Sequence, residues 1–418
     1  MKTITTLFLI MLISVTVVAQ DVYVAGTDRS SGSEAKLWKN GFLESNLEPY
    51  PSLASSVFVS NGNVYTGGNV SFPGEESRAT LWVNSTPQYY TNGDYSASIN
   101  DVFVSGNDVY AIGYHRTGNN NNAVATLWVN GIEQALTNGN TNASALSVLV
   151  SGGDVYVAGY ENNGTKDVAK IWKNGAEQIL TDGSDDAKAT SVLVDGSNVY
   201  ITGHEETTTG NSYAILWTNG VAQYLTDGLS FASALDVDLY VGFPLVVGGK
   251  HDGTNVVPTY WLDGSEYQVS NISNWGQIFS VYIASPAYDN KIYMAGYESN
   301  GTSNVGKLWS SSSPGWQTQI LTTNGQASSV FVDDATLGVE APKALSNYFA
   351  VYPNPVQSQL NIKTSKPCVL QLYNLQGQLL KTIEVTNQHK TIDMTNLSSG
   401  LYLLKDIDTG DTQKIIKE

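Results

Sequence analysis

The sequence predicts an all-β chain: a seven-bladed β-propeller of four-stranded blades, closed by its N- and C-terminal strands, followed by a small β-sandwich. Three observations carry this. Seven tryptophans (Trp38, Trp82, Trp128, Trp172, Trp217, Trp261 and Trp309) recur at intervals of 44, 46, 44, 45, 44 and 48 residues. A period of that length, built of short strands, is the mark of a propeller or an array. Each unit also contains four strand-like runs bounded by turn residues. Finally, the two ends of the repeat region complement each other.

Within a unit, an apolar triplet comes first, as in Val57-Phe58-Val59 or Val148-Leu149-Val150. A Val-Tyr-x-x-Gly run follows, as at Val64 to Gly68 and Val155 to Gly159. Next comes the Trp, succeeded in four units by x-Asn-Gly (Asn40-Gly41, Asn130-Gly131, Asn174-Gly175, Asn219-Gly220). A fourth short run ends in Thr-Asn-Gly or Thr-Asp-Gly. Val, Tyr, Phe and Thr favour strands, and Gly and Asn mark turns. Asn-Gly fits a type I′ hairpin, whose two central residues need positive φ. The second run is apolar on both faces, so it is covered on both sides, as a blade between two neighbours is.

The first unit opens at Asp21 without a triplet, and the last unit is followed by a lone triplet, Val330-Phe331-Val332. Pairing that triplet beside Val22–Gly26 closes the ring and removes its open edges. The sixth unit departs from the pattern: Leu245 replaces Tyr and Pro244 stands beside it. The repeat region is long enough to bury about three quarters of its unfolded surface. The seven Trp and the repeated Tyr are read as blade-to-blade packing, each indole N–H bonded locally.

Four segments follow from this: residues 1–19 a signal peptide, 20–334 the propeller, 335–346 a linker and 347–418 a C-terminal domain. Lys2, an apolar stretch from Ile4 to Val18 and the small-residue site Val17-Val18-Ala19 form a secretory signal. No other segment is apolar and long enough to span a bilayer as a helix. The net charge of −17 argues against nucleic acid. The one cysteine, Cys368, cannot form an internal disulfide. The chain is read as a monomer.

The tail has its own motifs: Val351-Tyr352-Pro353-Asn354-Pro355, Tyr373 to Leu379 with Asn374 and Gly377, Leu397-Ser398-Ser399-Gly400-Leu401-Tyr402, and Lys-Ile-Ile-Lys at 414–417. In these residues it resembles the C-terminal sorting domain, type A, of the type IX (Por) secretion system found in Bacteroidota. The resemblance implies export by the signal peptide, then passage across the outer membrane by that machinery. It implies an extracellular or cell-surface location, and removal of the domain with release or surface attachment of the cargo. Tyr352, Pro353, Asn354, Pro355, Gly377, Gly400 and Tyr402 are then parts of the secretion signal. The repeat region resembles propellers of no named family, since its mark is Trp-x-Asn-Gly.

Loop lengths separate the two faces of the ring. Turns after the triplet and after the Trp are tight. Connections after Val-Tyr-x-x-Gly and between units are longer, and a binding site is expected on that face, since variable loops on a rigid scaffold carry function. There stand His115, Glu161, His204 with Glu205, His251 with Asp252, and Glu298, which the repeat would bring round one ring. Carboxylates and imidazoles could bind a cation or act as acid and base. Asp182-Gly183-Ser184-Asp185-Asp186 could take calcium, though an Asp-Gly turn explains it more simply; no other cofactor is implied. Trp275, off the repeat in the connection after the sixth unit, is a candidate for stacking on a sugar or peptide.

The expectation for function is an exported binding propeller without catalysis, recognising a glycan, a peptide or an envelope component. One alternative is a secreted hydrolase or lyase with a carboxylate site on the long-loop face. Another is an adhesive or structural scaffold.

Overall fold

The structure is a computed structural model. It describes residues 20–117, 121–270, 274–285, 288–312, 315–333, 349–364, 366–374, 379–386, 389–407 and 412–417. Residues 1–19 and 335–346, expected to be a signal peptide and a linker, lie outside the described residues, as does Gly377.

Seven four-stranded antiparallel sheets form the repeat region. The first blade joins the closing strand Gly325–Asp333 to Asp21–Asp28, Glu34–Lys39 and Phe42–Asn46. Val22 pairs with Val332, Tyr23 with Phe331 and Val24 with Val330, so the lone triplet completes the ring. Blades two to seven begin with Ser52–Ser60, Ala97–Ser105, Ala143–Ser151, Ala187–Asp195, Ala232–Tyr240 and Gly276–Ile283.

The repeated residues have structural causes. Every repeat Trp is buried. Each packs on the blade before its own: Trp82 lies with Ala25 and Leu37, Trp172 with Ile112 and Leu127, Trp217 with Ala158 and Ile171. The expected local bond is not formed at Trp128, Trp172, Trp261 and Trp309, whose indole nitrogens meet no protein acceptor. Each of these indoles sits in an apolar cluster, so packing holds it in place.

The glycine of Val-Tyr-x-x-Gly answers a β-bulge. In every blade the first strand shifts register by one residue, for example between Ala145 and Ser147. The bulge swings a carbonyl towards the second strand. A Cβ on Gly159 would lie 2.2 Å from Ser144 O, and on Gly248 1.9 Å from Ser233 O. Only glycine fits so close an approach.

The Asn-Gly turns have φ of 52° at Asn174 and 80° at Gly175, as a type I′ turn requires. The Asn side chain does further work. Asn174 Oδ1 accepts the Val155 N–H at 2.9 Å and its Nδ2 donates to Asp154 at 2.8 Å. The same pair of bonds recurs at Asn40, Asn84, Asn130 and Asn219.

The first strands line a narrow central space of about 110 Å³. The residue before each triplet forms a ring: Ser56, Asp101, Ser147, Ser191, Asp236, Ser280 and Ser329. All of these side chains but Ser191 accept a backbone N–H from the next blade, and Ser191 donates its hydroxyl to Asp236 at 2.7 Å. Val148 N donates to Asp101 at 2.9 Å, Val281 N to Asp236 at 2.9 Å, and Val192 N to Ser147 at 3.2 Å. One layer on, Phe58, Phe103, Phe331 and Tyr282 pack as tilted rings at 4.7–5.0 Å between centroids. Asp238 takes the place of an apolar residue in that layer, and accepts Ile283 N at 2.7 Å.

The C-terminal domain packs two sheets around one core. One sheet is Phe349–Tyr352, Gln359–Thr364 and His389–Asp393. The other is Leu379–Val385, Cys368–Asn374, Gly400–Asp406 and Thr412–Lys417. Leu360, Ile362, Leu370, Leu404 and Ile415 fill the interior, and Cys368 is buried among them.

Candidate functional site

The long-loop face presents a cleft of about 440 Å³ on blade six, the irregular one. Three elements build it. The connection from blade five gives Asp227, Leu229 and Ser230. The end of the second strand, Phe243–His251, gives Lys250 and His251, and the loop after it gives Asp252 and Gly253. The fourth strand gives Glu266 and Gln268. The loop is tightly held: Asp252 Oδ1 accepts the N–H groups of Thr254 at 2.8 Å and Asn255 at 2.9 Å. The bonds from Asn255 and Thr254 keep the Asp252 carboxyl below the usual carboxylate range. His251 Nδ1 accepts Gly253 N–H at 3.1 Å, so in the neutral ring Nε2 carries the proton. Lys250 pairs with Glu266 at 2.7 Å. The cleft is thus ready with donors and acceptors of both kinds, with Leu229 exposed at its edge.

Trp275 does not line this cleft. It precedes the first strand of blade seven, at the position Phe231 holds before blade six, and both rings are exposed. The backbone of Trp275 is fixed by Ser299 N–H at 2.7 Å, while its side chain is 62% exposed. Trp316, by contrast, packs on Tyr260 at 5.7 Å.

The other candidates are not gathered at one place. His115 meets Glu133 at 3.1 Å on blade three. Glu161 binds Lys170 at 2.6 Å on blade four, and Lys170 also holds Glu177 at 2.8 Å. Glu205 accepts the Tyr224 hydroxyl at 3.3 Å on blade five, and burial raises its pKa. Glu298 is buried with Lys307 and Ser270. Each is tied within its own blade because the strand pleat turns it along the sheet, towards the outer strands. His204 lies behind the surface: burial, with Lys188 second, pushes its pKa down to about 4, so it is neutral at ordinary pH. Asp182 forms an Asx turn to Ser184 N–H at 2.9 Å, and Asp186 pairs with Lys166 at 2.7 Å. Among the described residues, no three His, Cys, Asp or Glu side chains converge to hold a metal ion.

Sequence reasoning missed Asp227, Glu266 and Gln268. The hairpin register could have given the second: Asp263-Gly264 places Glu266 opposite Trp261. It missed the channel-lining Asp101, Asp236 and Asp238 too, although each interrupts a Ser or apolar column of the repeat.

A larger cleft, about 650 Å³, lies between blades four and five on the tight-turn side. Its lining, including Gln178, Gly196, Asn219 and Gly220, is that of an ordinary blade junction.

In the C-terminal domain the two ends of the signal meet. Asn354 Nδ2 donates to Lys414 O at 2.7 Å and its Oδ1 accepts Ile416 N–H at 2.8 Å. Tyr352–Pro353 and Asn354–Pro355 are cis peptides, and Tyr352 is exposed. The Tyr402 hydroxyl donates to Ser398 O at 2.7 Å, and Gly400 opens the strand between them.

The family model described as "Secretion system C-terminal sorting domain" matches residues 350–418. The tail is a type IX sorting domain, which directs export to the cell surface or extracellular space. No curated protein sequence matches the chain. Among solved structures it is similar to the β-propeller domain of the Trilobed protease from Pyrococcus furiosus, at 11% identity over 72% of this chain and 91% of that one, with a TM-score of 0.41. TolB from Acinetobacter baumannii is 11% identical over 59% and 61%, with a TM-score of 0.39. A Mycobacterium tuberculosis puromycin-hydrolyzing peptidase is 10% identical over 84% and 57%, with a TM-score of 0.48. These are likenesses of architecture. Among the described residues, no helix is long and apolar enough to cross a membrane.

Proposed function

We propose that the propeller is a non-catalytic binding module, exported with the help of its sorting domain, and that it takes an extracellular glycan on the long-loop face of blades six and seven. The exposure of Trp275 carries this proposal. Seven tryptophans are buried between blades and Trp316 is packed on Tyr260, whereas Trp275 offers its ring to solvent. An exposed indole covers the apolar face of a sugar ring, and the blade-six cleft on the same face offers hydroxyl partners in Lys250, His251, Asp252 and Glu266.

The glutamates needed by a hydrolase stand on three separate blades. Two of them are neutralised by lysine, an arrangement far from a paired-carboxylate site.

A glycan array probed with the full exported chain, with calcium and then with EDTA, tests the proposal. Binding that disappears in Trp275→Ala supports it, and loss in EDTA adds a metal. Binding unchanged in Trp275→Ala refutes this location. Silence under both conditions moves the weight to a peptide partner or a scaffold role.

A further inference from the structure

Blade two carries a second constellation, at the corner equivalent to the blade-six cleft. We infer that Tyr50, Phe72 and Tyr89, with Arg78 held by Glu75, form a binding subsite for a neutral pyranose. This rests on the glycan reading for its ligand class, but not for its location.

The repeat itself supplies the control. At the Arg78 position, blades three, four, six and seven put Val124, Val168, Val257 and Val305, all buried. At the Tyr89 position, blades three, four and six put Ala135, Ile179 and Gln268. A blade can therefore be built here with a valine and almost any fourth-strand residue. Blades two and five depart at both places at once, blade five with Tyr213 and Tyr224 and blade two with the cation Arg78 beside Tyr89. Such a local break in an otherwise consistent pattern is where function is expected.

The departures meet in space. The Tyr50 and Phe72 rings are 4.9 Å apart, and Phe72 and Tyr89 are 5.4 Å apart. The Arg78 guanidinium lies 4.9 Å from the Phe72 centroid and 5.7 Å from that of Tyr89. Glu75 Oε2 accepts both Arg78 Nε, at 2.8 Å, and Nη2, at 2.5 Å. Gly93 lets the next connection lie against this pair: a Cβ there would be 2.7 Å from Glu75 Oε2 and 3.0 Å from Arg78 Nε. Tyr89 donates to Glu48 at 3.4 Å, and Glu48 is itself buried. Yet Tyr50 and Tyr89 each remain 40% exposed. The rings are thus fixed from behind and open in front.

That chemistry selects a ligand. Aromatic faces attract the polarised C–H face of a sugar ring, and a pre-oriented guanidinium–carboxylate pair offers adjacent donors and acceptors to neighbouring hydroxyls. Rigid placement lowers the entropy lost on binding. Glu48 and Glu75 outnumber Arg78, so an acidic sugar is disfavoured and a neutral one fits. Half of the constellation recurs on blade five. There Tyr213 and Tyr224 are 4.8 Å apart and Tyr224 donates to Glu205 at 3.3 Å.

The test is saturation-transfer NMR on the full exported chain. The ligands are methyl α-glucoside, methyl α-mannoside and methyl β-galactoside, with methyl glucuronide as the acidic comparison. The expected result is transfer to at least one neutral glycoside, with affinity about tenfold weaker in Tyr89→Ala and in Arg78→Ala, a difference of about 1.4 kcal/mol. Tyr89→Phe keeps the ring and should stay within about twofold of the parent. Matching circular dichroism and melting midpoints establish that the variants are folded. Trp275→Ala separates the two sites. If it abolishes all transfer while Tyr89→Ala and Arg78→Ala change nothing, the blade-two subsite is refuted and the blade-six location stands. If the blade-two variants lose transfer and Trp275→Ala does not, the reverse holds. Silence of every neutral glycoside, or preference for the glucuronide, also overturns the inference.

Discussion

Blades four and six are built on the same plan and differ in what they can do. Trp172 and Trp261 are equally buried, and Gly159 and Gly248 face equally close carbonyls. In blade four the corner beyond those residues is closed by Lys170 between Glu161 and Glu177. In blade six the same corner is an open cleft. The turn chemistry changes in step. Asn174 accepts the Val155 N–H, but Pro244 has no N–H to give, and the turn residue there is Asp263. The comparison teaches that the repeat is constrained where blades touch and free where they face solvent.

The largest test of that equality is the tryptophan pair. Trp172→Ala and Trp261→Ala should each cost about 3–5 kcal/mol, read from the guanidinium midpoint. A difference of more than about 2 kcal/mol would mean that blade six is packed differently after all. Gly159→Ala and Gly248→Ala come next, at about 1–3 kcal/mol each, because a methyl group must displace a backbone carbonyl.

The channel separates the two blades by pH. Blade four has Leu149 where blade six has Asp238. Burial pushes the Asp238 carboxyl up to about 7, with bonds from Ile283 and Leu239 N–H opposing. Burial also raises Asp101, to about 6. The folded protein therefore keeps protons that the unfolded chain releases near its ordinary value of 3.8. The contribution of Asp101 and Asp238 to stability should fall as pH rises from there towards about 7, while His204, held neutral in the fold, contributes an opposite rise between about 4 and 6.5. Asp238→Asn should remove the Asp238 share of that fall in melting curves across pH, leaving the parts due to Asp101, Asp236 and His204. An unchanged slope would remove Asp238 from the account.

Smaller effects should fall at the turns. Asn174→Ala should cost about 1 kcal/mol by leaving Val155 N–H without its acceptor. Asp263→Asn should stay within about 0.5 kcal/mol, since Pro244 offers nothing to accept. A clear gain from Asp263→Asn would contradict that reason. Smallest on stability is Trp275→Ala, within about 0.5 kcal/mol by thermal melting, despite its expected loss of glycan binding.

The architecture was legible in the sequence because it depends on short-range rules. Asn174-Gly175 specifies a hairpin by its own backbone preferences, and the Val330 triplet announces its missing partner at Val22. The motifs at Tyr352–Pro355 and 414–417 were likewise readable in order, although only the fold shows Asn354 bridging them. The candidate site was legible only in part. His251 and Asp252 are adjacent in sequence and share one cleft. His115, Glu161, Glu205 and Glu298 share a repeat position but not a place, because pleat direction and blade-local partners decide where a side chain ends.

By itself the sequence determined the number of blades, the closure of the ring and the export domain. Periodicity, turn chemistry and motif order need no knowledge of distance. Only the tertiary structure decided that Asp101 and Asp236 stitch one blade to the next. It also decided that Trp275 faces solvent while the seven repeat tryptophans do not, and that Tyr50, Phe72, Arg78 and Tyr89 converge. Those facts concern contacts between blades and between loops, where the partner lies far along the chain and the packing of the ring alone sets the distance.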